Sequence, residues 1–330
     1  MGRAKKVKYS YYTGDAARLN SLVYMGWDQY AYYSVDGKSF TKGEVIDTFG
    51  SADHIDYSPS LDRWLIGGYN FFRYSDDGGV TWTFVSFNLR GSGSGGVNRV
   101  IWVDGKGFFA VTYDTGTSFS YSGFSADGIS WARYGNNISL PSTTYLSYSP
   151  SLDMFIVRSS STTSSIRTSI DDMVTWQTQT LARTSSGGVW WVDFLGLFLV
   201  MDNRNSITHY QTSPDGINWT QRTFPVNRIR VDVCVGLDKI IVNVKSGGGN
   251  PASSYTSLDA INWTLNGVIP NLSDSNPSPY FSNRNNIYYS IGSTTYTSTD
   301  AVVWTSVSTG NPSSTAQSSP DFDGFGAKRY

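Results

Sequence analysis

The chain has 330 residues, of which 15% are aromatic and 15% are charged. Its 25 basic and 26 acidic residues give a formal net charge of −1, which argues against nucleic acid as a partner. Cys234 is the only cysteine, so a disulfide framework and a cysteine-based zinc cluster are excluded, and we predict no cofactor and no metal. No apolar run reaches the length of a membrane span or forms a signal peptide, so we predict no membrane insertion.

The composition favours strands and tight turns over helices. Ser, Thr, Asn, Gly and Tyr are plentiful, whereas Glu44 is the only glutamate among the acidic residues. Glutamate is a favoured helix residue and aspartate a turn residue, so this imbalance predicts an all-β chain.

A short motif recurs seven times along the chain, with a serine, an aspartate two positions later and an aromatic residue after a turn. The serines advance by 41, 50, 44, 44, 44 and 41 residues. The motif residues are Ser34, Asp36 and Phe40; Ser75, Asp77, Gly79 and Trp82; Ser125, Asp127 and Trp131; Ser169, Asp171 and Trp176; Ser213, Asp215 and Trp219; Ser257, Asp259 and Trp263; and Ser298, Asp300 and Trp304.

Each repeat has room for four short strands. Two apolar runs precede a third strand, which leads into the motif, and the aromatic residue begins a fourth. A repeat of about 44 residues with four strands has the length and strand number of a propeller blade. We therefore predict a single domain, 1–330, that is a seven-bladed β-propeller of antiparallel blades. The first blade is expected to be shared between about the first 45 residues and the tail 313–330, which closes the ring.

The motif has a structural explanation. Ser and Asp side chains can hydrogen-bond to the backbone of a tight turn, and the Trp can enter the core between sheets. The repeat resembles the Asp-box, or BNR repeat, Ser/Thr-x-Asp-x-Gly-x-x-Trp, which joins the third and fourth strands of a blade. The segment from Ser75 to Trp82 fits this pattern fully, and Met173 replaces the glycine in the fourth copy. The resemblance implies that the motifs lie on the face opposite the ligand site.

Asp-box propellers include sialidases and other glycosidases, so an enzyme has to be considered. The resemblance implies that a sialidase would need an Arg triad, a Tyr–Glu pair, an Asp acid and an Arg-Ile-Pro motif. None of this set can be recognised, and Glu44 falls in an outer strand. Two aspartates could still serve a glycosidase, but most aspartates belong to motifs or turns. We assign no catalytic residue.

Binding residues are expected on the face opposite the motifs, where loops on a rigid scaffold gather. The loops that join successive blades include 87–98, 135–144, 181–188, 221–229 and 266–278. Arg and aromatic groups in or beside them suit a sugar, an acidic ligand or a protein partner. The candidate ligand-binding residues are Arg90, Asn98, Arg99, Arg183, Asn227, Arg228, Arg230 and Tyr280.

The chain has one cysteine, one glutamate and no recognisable signal peptide, is rich in Ser, Thr, Gly, Asn and Tyr, and consists almost wholly of repeats. These features together are typical of a bacteriophage virion component. We predict a non-enzymatic structural or attachment protein of a phage tail or capsid, located in the virion after synthesis in the host cytoplasm. Its expected partners are other virion proteins and a host surface glycan. The alternative is a sialidase-like glycoside hydrolase acting on surface polysaccharide, and a third possibility is an intracellular scaffold.

Overall fold

The computed structural model describes most of the repeat region. The described residues are 22–25, 30–35, 40–46, 54–68, 71–87, 89, 96–112, 120–134, 138, 144–159, 162–202, 207–228, 230–245, 253–267, 279–282, 287–290 and 295–307.

These residues form 27 strands, numbered in chain order, and one 3-10 turn at Asp193–Leu195. The strands of the first four blades are β1 (Leu22–Met25), β2 (Tyr30–Ser34) and β3 (Thr41–Val45); β4 (His54–Ser58), β5 (Arg63–Gly68), β6 (Phe71–Ser75) and β7 (Thr83–Val85); β8 (Val97–Val103), β9 (Gly107–Thr112), β10 (Ser122–Ser125) and β11 (Ala132–Arg133); and β12 (Thr144–Ser149), β13 (Met154–Ser159), β14 (Thr163–Ser169) and β15 (Gln177–Ser185). The strands of the last three blades are β16 (Val189–Val192), β17 (Leu197–Met201), β18 (Ile207–Ser213) and β19 (Thr220–Arg228); β20 (Arg230–Val235), β21 (Ile240–Lys245), β22 (Ser253–Ser257) and β23 (Thr264–Gly267); and β24 (Pro279–Ser282), β25 (Ile287–Ser290), β26 (Thr295–Ser298) and β27 (Thr305–Val307).

The strands form seven antiparallel sheets, each a meander in chain order. Six sheets have four strands, and the first has three described strands, in the order β1-β2-β3. Because β2 leads into the first motif, β1 to β3 correspond to the second, third and fourth strands of the other blades. The predicted seven-bladed β-propeller is confirmed. The closing tail 313–330 lies outside the described residues.

The hydrophobic core consists of separate layers between neighbouring sheets. Side chains alternate across each strand, so one face of a blade packs on the preceding blade and the other on the following blade. Ile101 and Phe109 of the third blade pack with Phe155 and Val157 of the fourth, for example. Comparable layers join each described pair of consecutive blades, from the first to the seventh.

The Ser-x-Asp turns hold themselves together as the sequence predicts. In the second blade the Ser75 hydroxyl donates to Asp77 at 2.8 Å and accepts the N–H of Gly79 at 2.8 Å. Asp77 in turn accepts the N–H groups of Val80 and Thr81, at 3.1 and 3.0 Å. The Ser-to-Asp hydrogen bond recurs in the other five motifs whose aspartate is described. These side chains replace the ladder partners that the turn backbone lacks.

In each described turn, one residue with left-handed backbone lies against the layer between blades, and in the second blade this residue is Gly79. Gly128 and Gly216 take this conformation, as do Met173, Ala260 and Ala301 in the copies without glycine there. The last three side chains are completely buried. Left-handed backbone costs a residue with a Cβ about 1–2 kcal/mol, and burial of these side chains in the core offsets that cost. The motif therefore keeps its geometry where glycine is absent.

The motif tryptophans pack between their own blade and the preceding one. Trp131 stacks on Phe72 of the second blade, with ring centroids 4.0 Å apart and planes 7° apart. In three motifs the indole N–H donates to the carbonyl of the left-handed glycine, at 3.0 to 3.2 Å. Each tryptophan thus fastens its turn onto a neighbour, and the six packed in this way are Trp82, Trp131, Trp176, Trp219, Trp263 and Trp304.

One inter-blade contact is bridged by a tyrosine hydroxyl. Tyr210 of the fifth blade accepts a hydrogen bond from Trp263 Nε1 at 3.0 Å and donates to the Ala260 carbonyl at 2.8 Å. We expect Tyr210→Phe to lower the free energy of unfolding by about 1–3 kcal/mol, because two polar groups lose their partner.

Urea denaturation measures this effect, and Tyr255→Phe is the control. Tyr255 is similarly buried in the same layer, and its hydroxyl has no hydrogen bond to a described residue. Equal losses in the two variants would show that the bridge contributes nothing beyond packing.

Two residues singled out from the sequence have structural roles. Glu44 lies in the outer strand β3, as predicted, and its Oε2 accepts the N–H of Trp82 in the next blade at 2.9 Å. Cys234 is a buried thiol in the layer between the sixth and seventh blades.

Candidate functional site

The propeller has two chemically different faces. We define the turn face as the Ser-x-Asp turns together with the turns between the first and second strands, which lie at the same end of each blade. The crossover face is the opposite end, where the second strand joins the third and where one blade joins the next. Inner strands of neighbouring blades run parallel, since the N–H groups of Val100 and Trp102 bind His54 and Asp56 with the same offset.

The aspartates of the turn face are structural anions. The backbone N–H groups of Asn262 and Ile261 lower the pKa of Asp259 to about 2. Burial alone would raise the pKa of Asp215, but its hydrogen bonds to Asn218, Ile217 and Ser213 outweigh burial and lower it. The pKa is lowered in the other four described motif aspartates as well, namely Asp77, Asp127, Asp171 and Asp300. These carboxylates are ionised and occupied by their own turns.

Three cations on the turn face connect neighbouring blades. Arg63 donates to the Asp127 carbonyl of the next blade at 2.6 Å and forms a two-point ion pair with Asp76 of its own blade. Lys106 binds Asp153 and Asp172 of the next blade, and Lys239 donates to the Asp300 carbonyl at 3.4 Å. Burial alone would lower the pKa of Lys106, but the two carboxylates outweigh burial and raise it.

The crossover face gathers polar and aromatic residues at the starts of the inner strands. Each described inner strand begins at this face, so the first few residues of these strands lie around one end of the ring. They include His54 in β4, Asn98 and Arg99 in β8, Tyr145 in β12, Trp190 in β16, Arg230 in β20 and Tyr280 in β24. For Arg230 and Tyr280 this placement rests on the backbone.

Three of these side chains form a continuous row across three blades. The guanidinium carbon of Arg99 lies 5.5 Å from the ring centroid of Tyr145, a cation–π arrangement. The Tyr145 ring lies 6.4 Å from the ring of Trp190, between centroids. Arg99 and Tyr145 are buried and Trp190 is half-buried. Beside them, Asn98 is half-buried, and its Nδ2 has no hydrogen-bond partner among the described residues.

A buried guanidinium and a buried carboxylate hold the crossover that leads to Trp190. Arg158 of the fourth blade donates to the carbonyl of Ser185, at the end of β15, and to that of Gly187, in the crossover to the fifth blade. Asp202 of the fifth blade accepts the N–H of Ser186 at 3.2 Å. Both side chains are almost completely buried. The crossover that carries the chain to Trp190 is therefore held from both sides, which restricts its motion.

The candidate residues predicted from sequence fall into three groups. Asn98, Arg99, Arg230 and Tyr280 lie at the starts of inner strands, and Arg90 lies outside the described residues. The other three, Arg183, Asn227 and Arg228, lie on outer strands at the periphery.

The prediction of loops at 181–188 and 221–229 is wrong for residues 181–185 and 221–228, which are in strands, whereas 186–188 lie outside the strands as predicted. Residues up to Ser185 belong to β15, and residues up to Arg228 belong to β19. Their partner strands β14 and β18 have seven residues each, and after a register shift the ladder continues to the pairs Thr163–Ser185 and Ile207–Arg228. This longer ladder satisfies backbone groups that a loop would have left to solvent.

Sequence reasoning missed Tyr145, Trp190 and Arg158. Trp190 occurs in the apolar run Val189–Val192 and is indistinguishable from a core residue by pattern, and Tyr145 stands in the alternating strand Thr144–Ser149, where an aromatic residue is equally expected in the core. Tyr145 and Trp190 could have been recognised by their position, because both stand at the start of an inner strand, directly after a crossover. Arg158 stands in the run Met-Phe-Ile-Val-Arg, where a lone charge in a central strand is itself unusual.

No group of three or more His, Cys, Asp or Glu among the described residues has the geometry to hold a metal ion. Within the same residues, no helix is long and apolar enough to cross a membrane.

No family model matches the chain, and no curated protein matches it significantly. Solved structures do resemble it. YCF48 bound to D1 peptide is 13% identical, with a TM-score of 0.57, over 81% of this chain and 85% of that one. A streptogramin B lyase structure is 10% identical, with a TM-score of 0.56, over 82% and 84%. Virginiamycin B lyase from Staphylococcus aureus is 12% identical, with a TM-score of 0.56, over 78% and 83%. These β-propellers place the chain in that fold class.

Proposed function

We propose that the protein is a non-enzymatic binding propeller of the Asp-box type, serving as a structural or attachment component of a bacteriophage virion. Its crossover face would hold a partner protein or a host surface glycan. The assignment to a virion rests on the style of the sequence, with its near-neutral charge, single cysteine and wealth of Ser, Thr, Gly and Tyr.

The observation that carries the binding proposal is the row of Arg99, Tyr145 and Trp190, in which Trp190 is the accessible ring and the buried Tyr145 and Arg99 lie behind it. Aromatic faces with a neighbouring guanidinium suit the apolar faces and polar edges of a sugar, and they are also enriched at protein interfaces. The buried Arg158 and Asp202 hold the crossover that leads to Trp190, which reduces the conformational entropy that this segment would lose on binding.

The arrangement of aspartates supports binding over hydrolysis. A glycosidase needs a carboxyl group whose pKa is raised so that it can donate a proton. The six described motif aspartates have lowered pKa values, as described above. Asp56 and Asp202 accept backbone N–H groups of neighbouring segments. These eight carboxylates therefore serve the scaffold.

A glycan array combined with a hydrolysis assay tests this proposal. We expect glycan binding without release of reducing ends, and Trp190→Ala should weaken it about tenfold or more. The control is Phe84→Ala, which removes an exposed aromatic ring from the outer strand β7. Release of reducing ends would replace the proposal with the hydrolase.

Mass spectrometry of purified virions tests the location. Finding the chain in the particle supports an attachment or structural role. Its absence from virions, together with binding to a host intracellular protein, would favour a scaffold.

A further inference from the structure

The turn face carries most of the exposed aliphatic side chains of the described chain. Sixteen large hydrophobic residues are exposed in the described part, and 13 of them lie on this face. The other three, Val45, Phe84 and Leu265, lie on outer strands. The turn-face residues are Val35, Leu61, Val80, Ile129, Leu152, Ile170, Val174, Ile217, Leu237, Leu258, Ile261, Val302 and Val303.

Six of these residues occupy the same position in successive turns. Val80, Ile129, Val174, Ile217, Ile261 and Val302 each follow the left-handed residue, and they are 38–52% exposed. The turn uses their backbone, since the N–H of Ile129 and that of Ile217 bind the motif aspartates. A polar side chain would serve the turn equally well. An aliphatic group at this position in every described turn therefore indicates an apolar surface.

The exposed apolar area of these residues, added together, is comparable with the area of a protein interface. Thirteen aliphatic residues exposed by 37–68% present on the order of 1,000 Å², compared with about 800 Å² per partner in a stable interface of standard size. The area is sufficient for a specific contact.

The charge of the turn face indicates which kind of partner it can bind. Together with the adjoining Arg63, the described turn-face residues include 13 aspartates and three basic residues, a formal charge of −10. The whole chain has a charge of −1, so all its other residues together sum to +9. A second copy docked turn face to turn face would bring two strongly acidic surfaces together, which argues against that arrangement.

A basic segment of the chain joins the fold at this face. Leu22, at the start of β1, pairs with Ser34, the serine of the first motif, so the preceding residues meet the propeller at the turn face. The segment 1–20 contains five basic residues and one aspartate. It also contains Tyr9, Tyr11 and Tyr12. Thirteen residues separate Lys8 from Leu22 along the chain and can span at most about 45 Å, enough to cross the face.

We propose that the turn face is a docking surface occupied by the segment 1–20 of the same chain. Its basic side chains contact the aspartates and its tyrosines pack on the aliphatic ring. This proposal is independent of any ligand on the crossover face.

Zero-length carbodiimide coupling of the full chain tests the proposal, because it forms an amide only between an amine and a carboxylate in contact. We expect cross-links from Lys5, Lys6 and Lys8 to turn-face aspartates such as Asp104, Asp193 and Asp238. An equal mixture of 14N- and 15N-labelled protein distinguishes links within one chain from links between chains.

Two double variants with the same charge change provide the control. Leu258→Lys with Val303→Lys alters the turn face, and Phe84→Lys with Leu265→Lys alters outer strands. The first should reduce the cross-links about tenfold or more, because it removes apolar contact and adds repulsion. The second should leave them unchanged. Links mainly between different chains, links to acids elsewhere, no links, or equal effects of the two variants would each overturn the proposal.

Discussion

Replacing Trp82 by alanine is expected to lower the free energy of unfolding by about 3–5 kcal/mol. Trp82 is only 6% exposed and fills the layer between the first and second blades with Tyr57 and Trp64. Its indole N–H donates to the Gly79 carbonyl at 3.0 Å, so the variant also loses a turn hydrogen bond. Urea denaturation followed by tryptophan fluorescence and circular dichroism measures the change.

The control for this prediction lies two residues further along the chain. Phe84 is 53% exposed in the outer strand β7, where its ring contacts Phe71 and Arg73, and Phe84→Ala should lower the free energy of unfolding by no more than about 1 kcal/mol. Similar losses in the two variants would mean that the motif tryptophan does not anchor the blade.

The second large effect is a loss of stability in acid. The six described motif aspartates have lowered pKa values in the folded protein, whereas aspartates of the unfolded chain titrate near 3.9. Their contribution to the free energy of unfolding is therefore fully present above about pH 4, and it is lost as the pH falls through the pKa values of the folded protein. We expect the urea midpoint to be nearly constant from pH 7 to 5 and to fall steeply between about pH 4 and 2.

Asp259→Asn tests the origin of this dependence. The backbone N–H groups of Asn262 and Ile261 hold the pKa of Asp259 at about 2. The variant should be less stable than the natural protein at pH 7, and the difference should shrink as the pH falls from about 4 to 2, because Asp259 becomes uncharged like asparagine only below about pH 2. A difference that stays the same from pH 7 to 2 would show that the carboxylate charge is not the stabilising feature.

The architecture could be predicted in detail because each blade contains a motif whose residues are close together in the sequence. A Ser-x-Asp turn satisfies its own backbone within a few residues, so Ser75, Asp77 and Trp82 suffice to place the third and fourth strands around them. Seven such turns at a nearly constant spacing determine the number of blades. The assignment of the motif aspartates to turns follows for the same reason.

The crossover face could be predicted only in part. Arg99 was recognised as a candidate, but its aromatic neighbour Tyr145 is 46 residues away, and Trp190 is in the blade beyond. Arg183 and Arg228 were expected in loops, yet they lie on outer strands, because the ladder with the neighbouring strand continues past the point where the apolar pattern ends. Strand length depended on pairing, which local sequence does not encode.

The sequence by itself determined the repeat, the turns and the order of the strands, since these depend on hydrogen bonds and alternation within about 44 residues. Only the tertiary structure decided which side chains meet between blades. Glu44 caps the N–H of Trp82, Arg158 holds the next crossover, and aliphatic residues from separate turns assemble into one apolar face. Each of these contacts joins residues from different repeats, so it exists only once the blades are packed side by side.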